Sequence, residues 1–298
     1  MHVLVTGASG LVGTALVKAL EQDEIRVSCL KRPGKNGPND PTWDIDAGKI
    51  DLTPVGDIDA VVNLAGENIA SGRWTKRKKQ RIRDSRVIGT QLLSEALARM
   101  PNPPKTLLST SAIGYYGNTG DELMSETSEP RNVGFLGEVC RDWEAATMAA
   151  EARDIRVVKM RFGVVLSRDG GALKSMLTPF KLGLGGKMGS GNQYMSWIAL
   201  QDVVSIIRFL IDDDRISGPV NVVGPSAVTN AKFTETLGSL LWRPTFMTMP
   251  GFMAKLVLGE MAEELLLSGQ RVVPSLLTRS GYQFQYPILQ NTLRGILG

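Results

Sequence analysis

The sequence predicts an α/β fold: a doubly wound parallel sheet carrying a smaller C-terminal α/β unit. Three observations lead there. Near-continuous apolar strands alternate with helical patterns through the first two thirds of the chain, as expected for strands buried on both faces and joined by covering helices. The chain opens on a strand-like run, His2 to Thr6, that passes through a glycine-rich turn directly into an apolar-periodic helix. From Gly163 onward the pattern changes to short strands, a glycine-rich loop and separate helices, which reads as a second unit.

The elements follow in order. Strands are expected at residues 3–6, 26–30, 60–64, 106–109 and 157–161, and helices at 11–20, 76–100 and 139–151. Right-handed crossovers between parallel strands then wind the sheet in both directions from its first strand. Beyond it, 219–223 reads as a strand returning to the sheet. Residues 230–241, 246–267 and 289–297 read as helices, the second of them rich in methionine. The chain thus divides into 1–165 with 196–223 as the larger unit, and 166–195 with 224–298 as the smaller.

Composition excludes several function classes. No apolar run approaches the ~20 residues of a membrane helix, and the best candidate, 251–267, is interrupted by Lys255, Glu260, Glu263 and Glu264. A strand starting at the second residue leaves no room for a targeting peptide, so a cytoplasmic location is expected. Cys29 and Cys140 are the only cysteines and His2 the only histidine. A disulfide framework, a zinc site and histidine-based catalysis are therefore not expected, and no metal is assigned. The net charge of +4 comes from one run, Lys76 to Arg86, which holds seven cations and one acid. That is the face of a solvated helix more than a nucleic-acid footprint, and only Trp74 lies near it as a stacking residue.

Gly7, Gly10 and Gly13 stand between the first strand and the first helix. Only glycine allows a turn this tight and a backbone approach this close to a pyrophosphate. The phosphates would rest on the free N–H groups of the helix start. In NAD binders an acid ends the second strand and takes the ribose 2′-hydroxyl. Here that end reads Leu30-Lys31-Arg32-Pro33. Two cations in place of the acid suit a 2′-phosphate; the alternative is a surface Lys-Arg pair. NADP is the expected cofactor.

Thr6-Gly7-Ala8-Ser9-Gly10-Leu11-Val12-Gly13 and Asn63-Leu64-Ala65-Gly66 together resemble the extended short-chain dehydrogenase/reductase superfamily. Glu67-Asn68, Arg73-Trp74, Ser85-Arg86, Gly114-Tyr115-Tyr116-Gly117, Arg161 to Val165, Leu182 to Gly186 and Gly189 to Gly191 narrow the likeness. They are similar to its atypical "epimerase family" branch, which includes proteins once described as cell-division inhibitors. The resemblance runs nearly end to end and implies a Rossmann domain, NADP(H) and an ill-defined substrate. It places Ser9, Gly10, Leu11 and Val12 on the pyrophosphate, with Lys31 and Arg32 on the 2′-phosphate. It places Leu64, Ala65 and Gly66 beside the nicotinamide ribose, Arg86 on the phosphates and Val165 against the nicotinamide; Asp44 could accept the adenine amino group, the alternative being a plain acidic loop residue.

The chemistry departs from the superfamily. Ordinary members pair a tyrosine with a lysine four residues later, whose charge makes the phenol a usable acid or base. Where that step belongs, neither Phe135 and Val139 nor Leu136 and Cys140 supplies it. The remaining candidates are Ser111, which matches the family serine, and Tyr115 and Tyr116. A phenol of ordinary pKa near ~10 is protonated at neutral pH. Such a group suits polarising a carbonyl for reduction better than acting as a base; packing between the two units is the alternative use. Glu67, Lys159 and Arg141 are polar residues with no assigned role. The loop 183–191 has five glycines in nine residues and, with Lys187, could present N–H groups to an anionic substrate or simply connect the units. Met247, Met249, Met253 and Met261 could line a pocket or fill core.

The sequence therefore points to an NADP(H)-dependent oxidoreductase or epimerase-like enzyme for a small carbonyl compound or nucleotide sugar. A non-catalytic NADP(H)-binding module acting through a protein partner is the alternative. A small-molecule substrate is the expected partner, nucleic acid and membrane are not, and a homodimer is allowed for.

Overall fold

A computed structural model describes residues 1–34, 37 and 39–298 of the chain. Its central sheet has six parallel strands: β1 (His2–Thr6), β2 (Arg26–Leu30), β3 (Ala60–Asn63), β4 (Thr106–Ala112), β5 (Arg156–Phe162) and β6 (Gly218–Val222). Their order is β6-β5-β4-β3-β1-β2. The chain steps outward from β1 to β2 and then crosses back to β3 on the other side. The crevice at that reversal opens at the carboxyl ends of β1 and β3, where Thr6 and Asn63 stand in register. Beyond β2 the sheet continues only as a rudiment: Thr42–Asp44 makes one parallel bridge, Lys31 to Thr42, and then folds back on Lys49–Asp51.

Both faces of the sheet are buried, which is why its strands read as continuous apolar runs. Val3, Val5 and Val62 pack against Leu16 and Leu20 of α1 (Leu11–Gln22) and against a long apolar helix, Leu200–Asp212. Leu4, Val61, Leu107 and Val157 face the opposite way, onto Leu93 and Leu97 of α2 (Lys76–Ala98). Burying such a side chain completely contributes roughly 1.5–3 kcal/mol, so these two layers fix the strand register that shapes the crevice.

Three elements differ from the sequence expectation. The helix expected at 139–151 starts earlier, as α3 (Phe135–Ala145), and breaks at Thr147 before a short turn, Met148–Glu151. Its early start has a non-local cause: Glu264 accepts the N–H groups of Phe135 at 2.9 Å and Leu136 at 3.3 Å. The helix expected at 246–267 is broken at Pro250 and again at Gly259, whose φ is 64°. Its first residues, Met247–Met249, form a parallel strand with Gly186–Met188 instead. Leu200–Asp212 carries no helix assignment in the sequence reading, because Val203, Val204, Ile206, Ile207 and Ile211 fit a strand as readily.

The chain leaves the sheet after β5. Val164–Leu166 pairs in parallel with Trp197–Ala199, which feeds straight into the helix Leu200–Asp212. A separate core forms around Trp197, Phe233, Leu237, Leu173 and Leu293. Among the described residues no helix is long and apolar enough to cross a membrane.

Candidate functional site

The glycine turn is built by close approach. Gly7 has a φ of 65°, and a Cβ there would lie 2.7 Å from the Leu64 carbonyl carbon. At Gly13 a Cβ would lie 2.3 Å from the Gly7 carbonyl oxygen. The first turn of α1 therefore sits on the glycine turn, and the loop leaving β3 sits on Gly7. Gly10 is the N-cap of α1; it offers no side chain to the helix start, and the first turn contains no acid. Ser9 and Gly10 are exposed, Leu11 and Val12 half-buried. An uncapped helix start at a switch point is a ready anion site. Gly170 and Gly171 pack against the Leu11 side chain, which brings the segment after Val165 beside the same turn.

A buried polar chain holds the opposite wall. Thr6 Oγ1 donates to Asn63 Oδ1 at 2.7 Å and accepts the N–H groups of Leu64 and Ala65 at 3.1 Å each. Asn63 Nδ2 donates in turn to Thr90 at 2.9 Å and Ser109 at 3.3 Å. Thr90 has no role in the sequence reading, and Thr6 and Asn63 enter it only as parts of motifs. The signal at Thr6 and Asn63 was a polar side chain closing an otherwise apolar strand; Thr90, within α2, offered none.

Arg86 lies against the end of this wall. Its guanidinium would be 3.3 Å from a Cβ on Gly66, so glycine there makes room for it. It donates to the Ile82 carbonyl at 3.1 Å and lies over the Trp143 ring at 5.1 Å. Burial pushes its pKa below the usual arginine value. Among the described residues no carboxylate lies within ion-pair distance of it, whereas Lys78, Lys79, Arg81 and Arg83 of the same helix all have one. Glu67, next to Gly66 in the same loop, is the partner of the buried Lys78 ammonium at 2.7 Å, which holds its carboxyl below the usual range. Lys159 pairs with Glu151 at 2.7 Å.

At the end of β2, Lys31 and Arg32 behave differently. Lys31 Nζ pairs with Asp40 Oδ2 at 2.7 Å. Arg32 is exposed and makes no hydrogen bond or ion pair with the described residues. Asp44 lines a cavity of about 580 Å³ with Pro33, Thr42 and Ile50, while its Oδ1 accepts the Ala47 N–H at 3.1 Å.

The candidate catalytic hydroxyls are not equivalent. Ser111 stands beside Arg161 in the register of β4 and β5. Arg161 binds Glu144 through Nε and Nη2, both at 2.8 Å, and Ser111 donates to the same carboxylate at 2.7 Å. Arg161 Nη1 donates to the Tyr116 hydroxyl at 3.0 Å, which itself donates to Asn221 at 2.7 Å. Tyr116 is fully buried, and burial raises its phenol above the ordinary value. The structure thus places the Ser111 and Tyr116 hydroxyls in hydrogen bonds to the buried Arg161–Glu144 pair, a network that no local pattern announces. Tyr115 remains. It is half-buried, its ring lies 3.5 Å from the Arg161 guanidinium carbon, and its hydroxyl makes no hydrogen bond with the described residues.

Leu136 and Cys140, at one of the two registers for the missing tyrosine and lysine, pack against Gly114 at 3.6 and 3.8 Å from its virtual Cβ. Burial, then Glu144, pushes the Cys140 thiol up to about 12, so it provides no base. The C-terminal segment closes over this helix. Beside the Glu264 cap, Lys79 pairs with Glu260 at 2.7 Å, and Met261 packs with Trp74 and Ile82. Met261 is therefore core, while Met247, Met249 and Met253 are exposed. In the loop 183–191, Gly186 is forced by the strand pairing: its Cβ would meet the Met247 carbonyl oxygen at 1.7 Å. No group of three metal-ligating side chains occurs among the described residues.

Residues 3–224 match the model of the NAD dependent epimerase/dehydratase family, and residues 249–296 match a domain of unknown function, DUF1731. An epimerase family protein of Mycobacterium bovis is 44% identical over 296 residues, covering 99% of this chain and 96% of its own. The human epimerase family protein SDR39U1 is 37% identical over the whole of both chains. The crystal structure of human SDR39U1 isoform 2, determined with NADPH, superposes with a TM-score of 0.90 at 36% identity and covers 99% of each chain. A structure described as a nucleoside-diphosphate sugar epimerase, from Corynebacterium glutamicum, gives a TM-score of 0.82 at 36% identity; it matches all of this chain and 58% of that one.

Proposed function

The chain belongs to the NAD dependent epimerase/dehydratase family, and from that premise we propose that it is an NADP(H)-dependent oxidoreductase or epimerase-like enzyme. The observation that carries the reading is the pairing of an uncapped helix start on the glycine turn with Arg86, a half-buried guanidinium lacking a carboxylate partner among the described residues. A largely desolvated cation with no carboxylate in direct contact is costly; Glu67 acts on Arg86 only from beyond ion-pair distance, and a pyrophosphate supplies the contact. The NADPH in the human relative's structure supports the same assignment.

In this reading Gly7, Ser9, Gly10, Leu11 and Val12 bind the pyrophosphate with Arg86, and Lys31 and Arg32 the 2′-phosphate. Leu64, Ala65 and Gly66 line the nicotinamide ribose, and Val165 lies against the nicotinamide. When bound, the nicotinamide supplies or accepts the hydride. Tyr115 is the residue proposed to touch substrate: its hydroxyl donates a hydrogen bond to a carbonyl oxygen and holds the charge that develops there. The substrate is a small carbonyl compound or a nucleotide sugar, the protein acts in the cytoplasm, and nucleic acid is no partner. Four cations of the basic helix already have acidic partners, which supports the last point.

One observation favours a second reading, a non-catalytic NADP(H)-binding module. Leu136 and Cys140 leave no acid–base pair, and the Ser111 and Tyr116 hydroxyls already donate to Glu144 and Asn221. Native mass spectrometry of the purified protein, followed by NADPH titration, tests the common premise. Retained or tightly bound NADP(H) is the expected result, and failure to bind any nicotinamide dinucleotide refutes both readings. Consumption of NADPH with any carbonyl compound then refutes the non-catalytic one.

A further inference from the structure

The end of β2 has an acid after all, delivered from nine residues further along the chain. Main-chain bonds put it there: Lys31 N donates to the Pro41 carbonyl at 3.0 Å, and Trp43 N donates to the Lys31 carbonyl at 3.0 Å. Trp43 is buried and anchors the segment. Asp40, immediately before Pro41, is thereby held against Lys31, with Oδ2 at 2.7 Å from Nζ and also accepting the Gly37 N–H at 2.7 Å. Each partner keeps the other charged: the Asp40 hydrogen bond raises the Lys31 pKa, and Lys31, then Gly37, lowers that of Asp40. The Asp40 Oδ1 atom makes no hydrogen bond with the described residues.

Among the described residues the strand end therefore presents two cations, Lys31 and Arg32, and one carboxylate, Asp40. A 2′-phosphate is drawn to Arg32 but must take Lys31 from Asp40, and it meets the carboxylate's repulsion. A ribose 2′-hydroxyl has the opposite preference, because a carboxylate accepts its proton in a hydrogen bond. We infer that Asp40 is a specificity-determining residue of the dinucleotide site, which restrains Lys31 and so narrows the preference for the phosphorylated over the unphosphorylated dinucleotide. The inference rests on the NADP(H) reading above.

Titration calorimetry with NADPH and NADH tests it on the wild type, Asp40→Asn, Lys31→Met and the double variant. Asp40→Asn is expected to raise the NADPH-over-NADH affinity ratio by roughly two- to fivefold, the scale of an exposed ion pair, with no change in unfolding temperature. In the Lys31→Met background that gain should largely disappear, which separates restraint of Lys31 from simple repulsion. An unmoved ratio in Asp40→Asn, or an equal gain in both backgrounds, overturns the inference while leaving the cofactor reading intact. A wild type that binds neither dinucleotide overturns both.

Discussion

Replacing Gly13 by alanine tests the geometry of the dinucleotide turn, because two effects of opposite sign meet at one methyl group. Gly13 lies in α1, where alanine is favoured over glycine by ~0.8–1 kcal/mol. Against this, the new Cβ would sit 2.3 Å from the Gly7 carbonyl oxygen and 2.7 Å from Ala8 Cα. Both are main-chain atoms of the turn itself, so no flexible side chain can yield, and the gap is about 1 Å short of ordinary contact. Overpacking of this kind costs ~1–3 kcal/mol, and a main-chain obstacle places it near the upper end. The net is a loss of about 1–2 kcal/mol, or roughly 2–3 °C in unfolding temperature for a chain of this length. Gly295 supplies the control: it is exposed in the helix Leu289–Leu297, and its Cβ would meet nothing within 4 Å. Gly295→Ala should therefore gain ~0.5–1 kcal/mol. Thermal unfolding followed by circular dichroism, with and without NADPH, reads both variants. Gly13→Ala should lose much of the stabilisation by NADPH, since relieving the clash moves the turn. If Gly13→Ala stabilises the protein as Gly295→Ala does, the close approach of helix and turn is not as described.

Arg86→Met should weaken NADPH binding by roughly 10- to 100-fold, the loss of a charge-assisted contact. Its effect on unfolding temperature should be small, because no buried acid is stranded; a large loss of stability with unchanged affinity would assign Arg86 to the fold. Tyr115→Phe should abolish NADPH consumption across a panel of small carbonyl compounds and nucleotide sugars while leaving NADPH affinity unchanged. Full activity in that variant would remove the phenol from the mechanism.

The parts of this molecule that follow from short-range pattern were legible in its sequence. The β1 turn and α1, the apolar strands and the glycines at 7, 10 and 13 depend on periodicity and on sterics that any chain must obey. So does the cationic end of β2. What was not legible depended on partners far away in the chain. Asp40 reaches Lys31 because Thr42 docks beside β2. The start of α3 is set by Glu264, more than a hundred residues later. The helix Leu200–Asp212 was hidden because β-branched residues on its buried face fit either period. The hydrogen bonds of Ser111 and Tyr116 depend on Arg161, a cation near the end of an apolar strand pattern, whose need for a counter-ion no periodicity expresses.

That last case separates structure from catalysis in a way that can be measured. The Arg161 side chain is 4% exposed and that of Glu144 10%, so neither charge can turn to water if the other is removed. Breaking a buried pair from one side costs ~3–5 kcal/mol, and Arg161→Met also removes one of the two hydrogen bonds of the Tyr116 hydroxyl, leaving the one to Asn221. Ser111→Ala removes less. Glu144 keeps both Arg161 bonds, and the lost hydrogen bond to a charged group is worth ~1.5–3 kcal/mol. If the network only supports the fold, stability falls in that order, and the turnover of Ser111→Ala follows its folded fraction. A hydroxyl that acts on substrate gives the reverse pattern: Ser111→Ala stays folded at the working temperature, binds NADPH normally, and loses turnover by a hundredfold or more. That outcome would return Ser111 to the chemistry and require Glu144 to release it when substrate binds.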